Sequence, residues 1–118
     1  MLLSCGNPDT LEKIMSTDRA KEQIMEVRNE VLSQNGEIYG DYSIEVKGNE
    51  IIYKYYFIPG LTDEELATVE ETLREDSTWS DTIGSVKDDI EQASSIRPAT
   101  ITFAYYSSEG GEVFKVTE

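Results

Sequence analysis

Histidine is absent from this chain, and cysteine occurs once, at Cys5. Without an imidazole base, triads and dyads that depend on histidine are excluded. A single thiol excludes an intramolecular disulfide, and with no histidine it also excludes zinc and iron–sulfur sites of the Cys/His type. Positive charge is scarce as well: 10 Lys and Arg stand against 24 Asp and Glu, for a formal net charge of −14. No lysine–arginine cluster makes a local exception, so nucleic acid is excluded as a partner and anionic headgroups repel the body of the chain. No apolar run of roughly 18 residues occurs, so no helix of this sequence spans a bilayer. Also missing are an Asp-x-Asp-x-Asp-Gly calcium loop, a Gly-x-Ser-x-Gly elbow around Gly84-Ser85, and a Gly-rich phosphate cradle. Carboxylates are abundant, but Asp63, Glu64, Glu65, Glu70, Glu71, Glu75 and Asp76 lie beside a complete apolar helical stripe, which is the pattern of a solvated face. The expectation is a protein that is not an enzyme and uses no cofactor or metal.

What remains is enough to fold. The 118 residues suit one domain, and a chain of this length buries roughly 65–70 % of its unfolded surface without a staple. Seven Tyr, three Phe and one Trp within 38 % hydrophobic residues are too much apolar content for a disordered tail.

The opening Leu2-Leu3-Ser4-Cys5 resembles the lipobox that ends a bacterial signal peptide, where cleavage precedes the cysteine and its sulfur carries diacylglycerol. That resemblance implies lipidation at Cys5. Residues 1–8 would then be a motif remnant and tether, and 9–118 the single α+β domain. Turn-forming Gly6-Asn7-Pro8 follows directly. The basic and apolar regions of a full signal do not precede the motif here, and the expectation is that they lie upstream. The plain alternative is a free thiol near the terminus. On the lipid reading the domain sits outside the cytoplasm and meets the membrane only through its anchor.

Asp9-Thr10-Leu11-Glu12 reads as a capping box, with Asp9 as cap and Glu12 reaching back, for a short helix ending near Met15. Ser16-Thr17-Asp18 offers a second cap, after which Ala20, Ile24, Val27 and Val31 recur at helical spacing. Asn35-Gly36 predicts a left-handed stop. Tyr42, Ile44 and Val46 then alternate with Ser43, Glu45 and Lys47. Gly48-Asn49 has glycine first, as a type II′ turn requires. Closing there pairs Lys47 with Glu50, Val46 with Ile51, Ile44 with Tyr53 and Tyr42 with Tyr55, so apolar meets apolar and the charged pair is of opposite sign. Thr62-Asp63-Glu64-Glu65 caps the next helix, predicted to run as one to about Ser94 because no proline interrupts it, with the softer middle Asp76-Ser77-Thr78-Trp79-Ser80 as the place for a kink or a break. A last hairpin, turning through a two-residue loop at Glu109-Gly110, pairs Tyr105 with Phe114 and Phe103 with Val116.

The order α-β-β-α-β-β repeats a helix–hairpin pattern. It predicts an α+β fold of two α-β-β halves, with an antiparallel four-stranded sheet and the helices packed on one face. Tyr42, Tyr53, Tyr55 and Tyr105 fall on the helix-facing side. Ile52, Lys54, Tyr56, Thr100, Thr102, Ala104 and Tyr106 fall on the other side, which stays open.

The Leu-Ser-Cys-Gly start, the Asp-Thr-Leu-Glu that follows, Val46-Lys47-Gly48-Asn49 and the acidic Leu61-Thr62-Asp63-Glu64-Glu65-Leu66 together resemble a family of small uncharacterised lipoproteins from Gram-positive gut bacteria, classed as a domain of unknown function. The resemblance implies the lipid site at Cys5 and no activity. Two functional expectations stand. The first is a lipid-anchored binding module using the candidate face of Ile52, Lys54, Tyr56, Thr102 and Tyr106. The second is a secreted inhibitor-like domain presenting the Gly48-Asn49 loop or Ser107 to Gly111.

Overall fold

The computed structural model of the chain describes residues 10–118. Cys5, Asp9 and the tether lie outside the described residues. Helix α1 (Leu11–Met15) is capped by Thr10, whose side chain accepts the Lys13 N–H. Helix α2 (Asp18–Asn35) is capped by Thr17, whose side chain accepts the Ala20 N–H. Its stop differs from expectation, because Gly36 is right-handed at φ −64°. Glycine is needed there for closeness instead: a Cβ would stand 2.7 Å from the Leu32 carbonyl oxygen.

Strands β1 (Tyr39–Lys47) and β2 (Glu50–Phe57) form the first hairpin in the register read from the pattern, from Tyr42↔Tyr55 to Lys47↔Glu50. Gly48 has φ +58°, and Asn49 is not left-handed, as a type II′ turn requires.

The predicted single long helix is in fact two, α3 (Asp63–Glu75) and α4 (Trp79–Ser94). Thr62 and Glu65 form the reciprocal capping box that opens α3. The break is an Asx turn: the Asp76 carboxylate accepts from both the Thr78 N–H (2.8 Å) and its hydroxyl (2.6 Å). Asp76 is pulled into an extended conformation, and the Trp79 indole N–H donates to the Leu73 carbonyl at 2.8 Å. The apolar stripe keeps its phase across the break because Leu66, Val69 and Leu73, then Trp79, Val86 and Ile90, all pack against one cluster.

Strands β3 (Thr100–Tyr106) and β4 (Glu112–Thr117) complete a sheet of order β1-β2-β3-β4. The fold is α+β, but the sheet is mixed and not antiparallel throughout: β2 and β3 run parallel. The reason lies in the connection. Adjacent strands joined by a tight turn must be antiparallel, whereas a crossover carrying helices returns the chain to run in the same direction. Tyr105↔Phe114 and Phe103↔Val116 pair as expected, but the second turn is longer than two residues, and a bulge lets Tyr106 face Glu112.

The core gathers Leu11, Ile51, Phe57, Ile83, Ile101, Phe103, Tyr105 and Phe114. α1 and α2 pack on β1, α4 on β3 and α3 on β4. The rings of Tyr55 and Tyr105 stack at 4.8 Å, and those of Tyr53 and Phe103 at 5.1 Å.

Candidate functional site

Parallel pairing of β2 with β3 sets the Tyr55-Tyr56 dipeptide beside Tyr105-Tyr106. Successive side chains point to opposite faces, so the same register that stacks Tyr55 on Tyr105 in the core stacks Tyr56 on Tyr106 behind it. Their centroids are 5.1 Å apart and their planes 23° from parallel. Each ring covers one face of the other.

Ile52 and Lys54 precede Tyr56 on the same side of β2, and Thr102 precedes Tyr106 on β3, so the predicted residues do come together. They are not equally available. Ile52, Lys54, Tyr56 and Tyr106 are half-buried, whereas Thr102 is buried, its hydroxyl 2.8 Å from that of Thr117. Ala104, between Lys54 and Lys115 in the register, is fully covered. Thr102 and Ala104 are therefore floor, and the accessible part of the face is the row from Ile52 to Tyr56 with Tyr106.

Lys54 Nζ donates to Glu45 Oε1 at 2.7 Å. The hydrogen bond from Lys54 holds the Glu45 carboxyl below its ordinary value, and the same bond holds the Lys54 ammonium above its own. The Lys54 charge on this face is thus fixed in place. Glu45 was missed as a site residue, although the hairpin register already placed it diagonally across from Lys54.

Beyond Tyr56 the face runs into a cleft of about 550 Å³, with Gly40 and Asp41 on one wall, Pro59 behind, and Ser108 and Glu109 from the β3–β4 loop. Asp41 is held by Arg28, whose Nε and Nη2 both donate to Oδ1 at 3.1 and 3.0 Å. Asp41 follows from the hairpin register, opposite Tyr56, while Ser108 and Glu109 are brought there only by the assembled sheet.

The two loops named as alternative contact sites differ. Gly48-Asn49 is committed to the fold: Asn49 Oδ1 accepts the Leu11 N–H, its carbonyl accepts the Ala99 N–H, and Glu12 engages Gly48. The capping box expected of Asp9 and Glu12 falls on Asp9, which lies outside the described residues. Among the described residues the 107–111 loop is bonded within itself, through Ser107 and Gly110–Gly111, and it forms one wall of the cleft beside Tyr56. Among the described residues no group of three or more acidic side chains converges as a metal site would require, and no helix is long and apolar enough to cross a membrane.

A family described as a domain of unknown function, DUF4854, matches residues 11–117. The chain belongs to the DUF4854 family. No curated protein and no solved structure matches it. The DUF4854 match begins at Leu11, the first residue of α1, and ends at the last residue of β4.

Proposed function

We propose that this domain is an extracytoplasmic binding module, held at the membrane by a lipid on Cys5, that engages a protein partner through the face bearing Lys54, Tyr56 and Tyr106. The observation that carries the reading is the stacked Tyr56–Tyr106 pair beside an ion-paired lysine, at the mouth of a cleft. In this reading the helices cover the opposite face alone, since their apolar residues join the cluster built on Ile51, Ile101, Phe103 and Phe114. Tyrosines, with an apolar body and a hydroxyl tip, suit a protein surface that is partly apolar and partly hydrogen-bonding. A diacylglyceryl anchor is strong enough to hold an acidic body off an acidic membrane.

A second reading has support at one point. The 107–111 loop lines the same cleft, so an inhibitor-like domain would present that loop and not Gly48-Asn49.

The test has two arms. Mass spectrometry of the N-terminal peptide from protein made in its native cell should find Cys5 first and diacylglyceryl-modified. An unmodified Cys5 with Ser4 still attached ends the anchor reading. Separately, recovery of an envelope partner by wild type should be lost with Tyr56→Ala and Tyr106→Ala and kept with Ser108→Ala and Glu109→Ala. The reverse pattern would transfer the function to the loop.

A further inference from the structure

Among the described residues the helical side of the sheet is not closed. α2 packs chiefly on β1 and α4 on β3, and no helix takes β2 as its main support. The result is a groove of about 410 Å³ whose floor is Ile51 and Tyr53, with Ile14 and Ala20 on one wall and Ile90 and Ala93 on the other. Tyr53 and Tyr55 point to the core side of the sheet and are still only half-buried. The helices are correspondingly under-buried: only Ala20 on α2 and Ile83 on α4 are buried, and none on α3. On α2, Val27 is 42 % and Met25 51 % exposed.

The charge around this groove restricts what can lie in it. The helices that wall it, α1, α2 and α4, carry nine acidic residues against five basic ones. Some of the five are already engaged, among them Arg28 with Asp41 and Lys87 with the Ala99 carbonyl. Glu22 and Glu26 on α2 and Asp89 on α4 are exposed. An anionic amphiphile such as a free fatty acid is repelled by such helices, and a second copy of a chain of charge −14 is repelled by the whole body. An apolar stripe flanked by lysine or arginine meets complementary surface at both levels.

We propose that the groove over β2 docks a cationic amphipathic helical segment of a partner protein, with its apolar residues against Tyr53, Ile90 and Ala93 and its basic residues toward the acidic side chains of the walling helices. This inference is independent of the reading of the opposite face.

The probe is a synthetic leucine–lysine peptide with leucines at i, i+3, i+4 and i+7, compared with a scrambled peptide of the same composition. Both are titrated into the full chain at physiological ionic strength and followed by fluorescence anisotropy. The patterned peptide should bind at least about tenfold more tightly than the scramble, and Ala93→Trp, which fills the groove, should abolish about that factor. Gln23→Trp, on the opposite wall, should do the same, with circular dichroism melts checking that each variant is folded. Amide shift mapping of wild type with the patterned peptide needs no variant and should concentrate at Ile51, Tyr53 and Ala93. Equal binding of the two peptides, unweakened binding by folded variants, or shifts scattered over the acidic surface would each overturn the proposal. So would preference for a neutral acyl chain over the patterned peptide.

Discussion

Glu12 holds Gly48 from both sides: its carboxylate accepts the Gly48 N–H at 2.7 Å, and its own N–H donates to the Gly48 carbonyl at 2.9 Å. With Asn49 bonded to Leu11 and Ala99, the tip of the first hairpin is tied to α1 and to the segment entering β3. A loop fixed in this way fixes the start of the parallel β2–β3 pair.

Removing the carboxylate should therefore loosen the hairpin tip. Glu12→Ala deletes one charge-assisted acceptor at an exposed position, with an expected loss of about 1 kcal/mol. Urea denaturation would measure the loss, and faster hydrogen exchange at the Gly48 amide would locate it. An unchanged Gly48 exchange rate would mean that the turn stands without α1.

Alkali should unfold the domain through its tyrosine cluster. Burial raises Tyr39, Tyr42, Tyr53, Tyr55 and Tyr105 above the ordinary value, with Tyr55 pushed up to about 12. The folded state therefore favours the protonated phenol. The stability this contributes is fully present below pH 10, the ordinary tyrosine value, and declines as pH rises from there toward 12. Phenolate absorbance and circular dichroism, followed together in an alkaline titration, should show these tyrosines ionising with the loss of structure. Ionisation well before unfolding would contradict the burial.

The parts of the fold legible in the sequence were the local ones. Alternation from Tyr42 to Phe57, with Gly48 at the only position a type II′ turn allows it, fixed a register that a one-residue slip would ruin. The Thr62–Glu65 box was equally local. The parallel β2–β3 pair was not, because it joins strands separated by two helices, and no pattern within either strand encodes its neighbour's direction. The α3–α4 break was legible only as a softer middle because packing on one cluster preserves the apolar phase across an Asx turn. Of the candidate face, alternation alone placed Ile52, Lys54, Tyr56, Thr102 and Tyr106 on one side. Asp41 opposite Tyr56 follows from the hairpin register, one pair beyond Tyr42 and Tyr55, whereas the cover over Thr102 and the 107–111 loop beside Tyr56 depend on neighbouring strands and a bulge. The groove over β2 was illegible for the same reason: Tyr53 reads as core in any single strand, and only the helix positions leave it half-covered.

The break between α3 and α4 should depend on Trp79. Its indole N–H satisfies the Leu73 carbonyl at the end of α3, while its ring packs on Phe103 at 5.4 Å and on Phe114 at 5.9 Å. Trp79→Phe keeps much of the ring contact and removes the donor, so a loss of about 1 kcal/mol is expected, with a fall in melting temperature of roughly 4 °C. Trp79→Ala also removes the ring and should cost several-fold more, on the order of 3 kcal/mol. Equal losses for the two variants would show that the indole hydrogen bond, and not ring packing, holds the junction.

The Tyr56–Tyr106 pair should be weak in stability and strong in recognition, and the two can be separated. Both rings are half-buried, so Tyr56→Leu and Tyr106→Leu retain apolar cover while ending the stack. A double-mutant cycle in denaturant should give a coupling of about 1 kcal/mol, the usual range for a paired aromatic contact. Zero coupling would mean that the rings are neighbours without interacting. The leucine variants also remove the hydroxyls. If those hydroxyls are what a partner meets, Tyr56→Phe and Tyr106→Phe, which keep the stack, should weaken binding nearly as much as the leucine changes while leaving stability near wild type. If the phenylalanine variants instead bind like wild type, recognition rests on ring shape, and the hydrogen-bonding character assigned to this face is wrong.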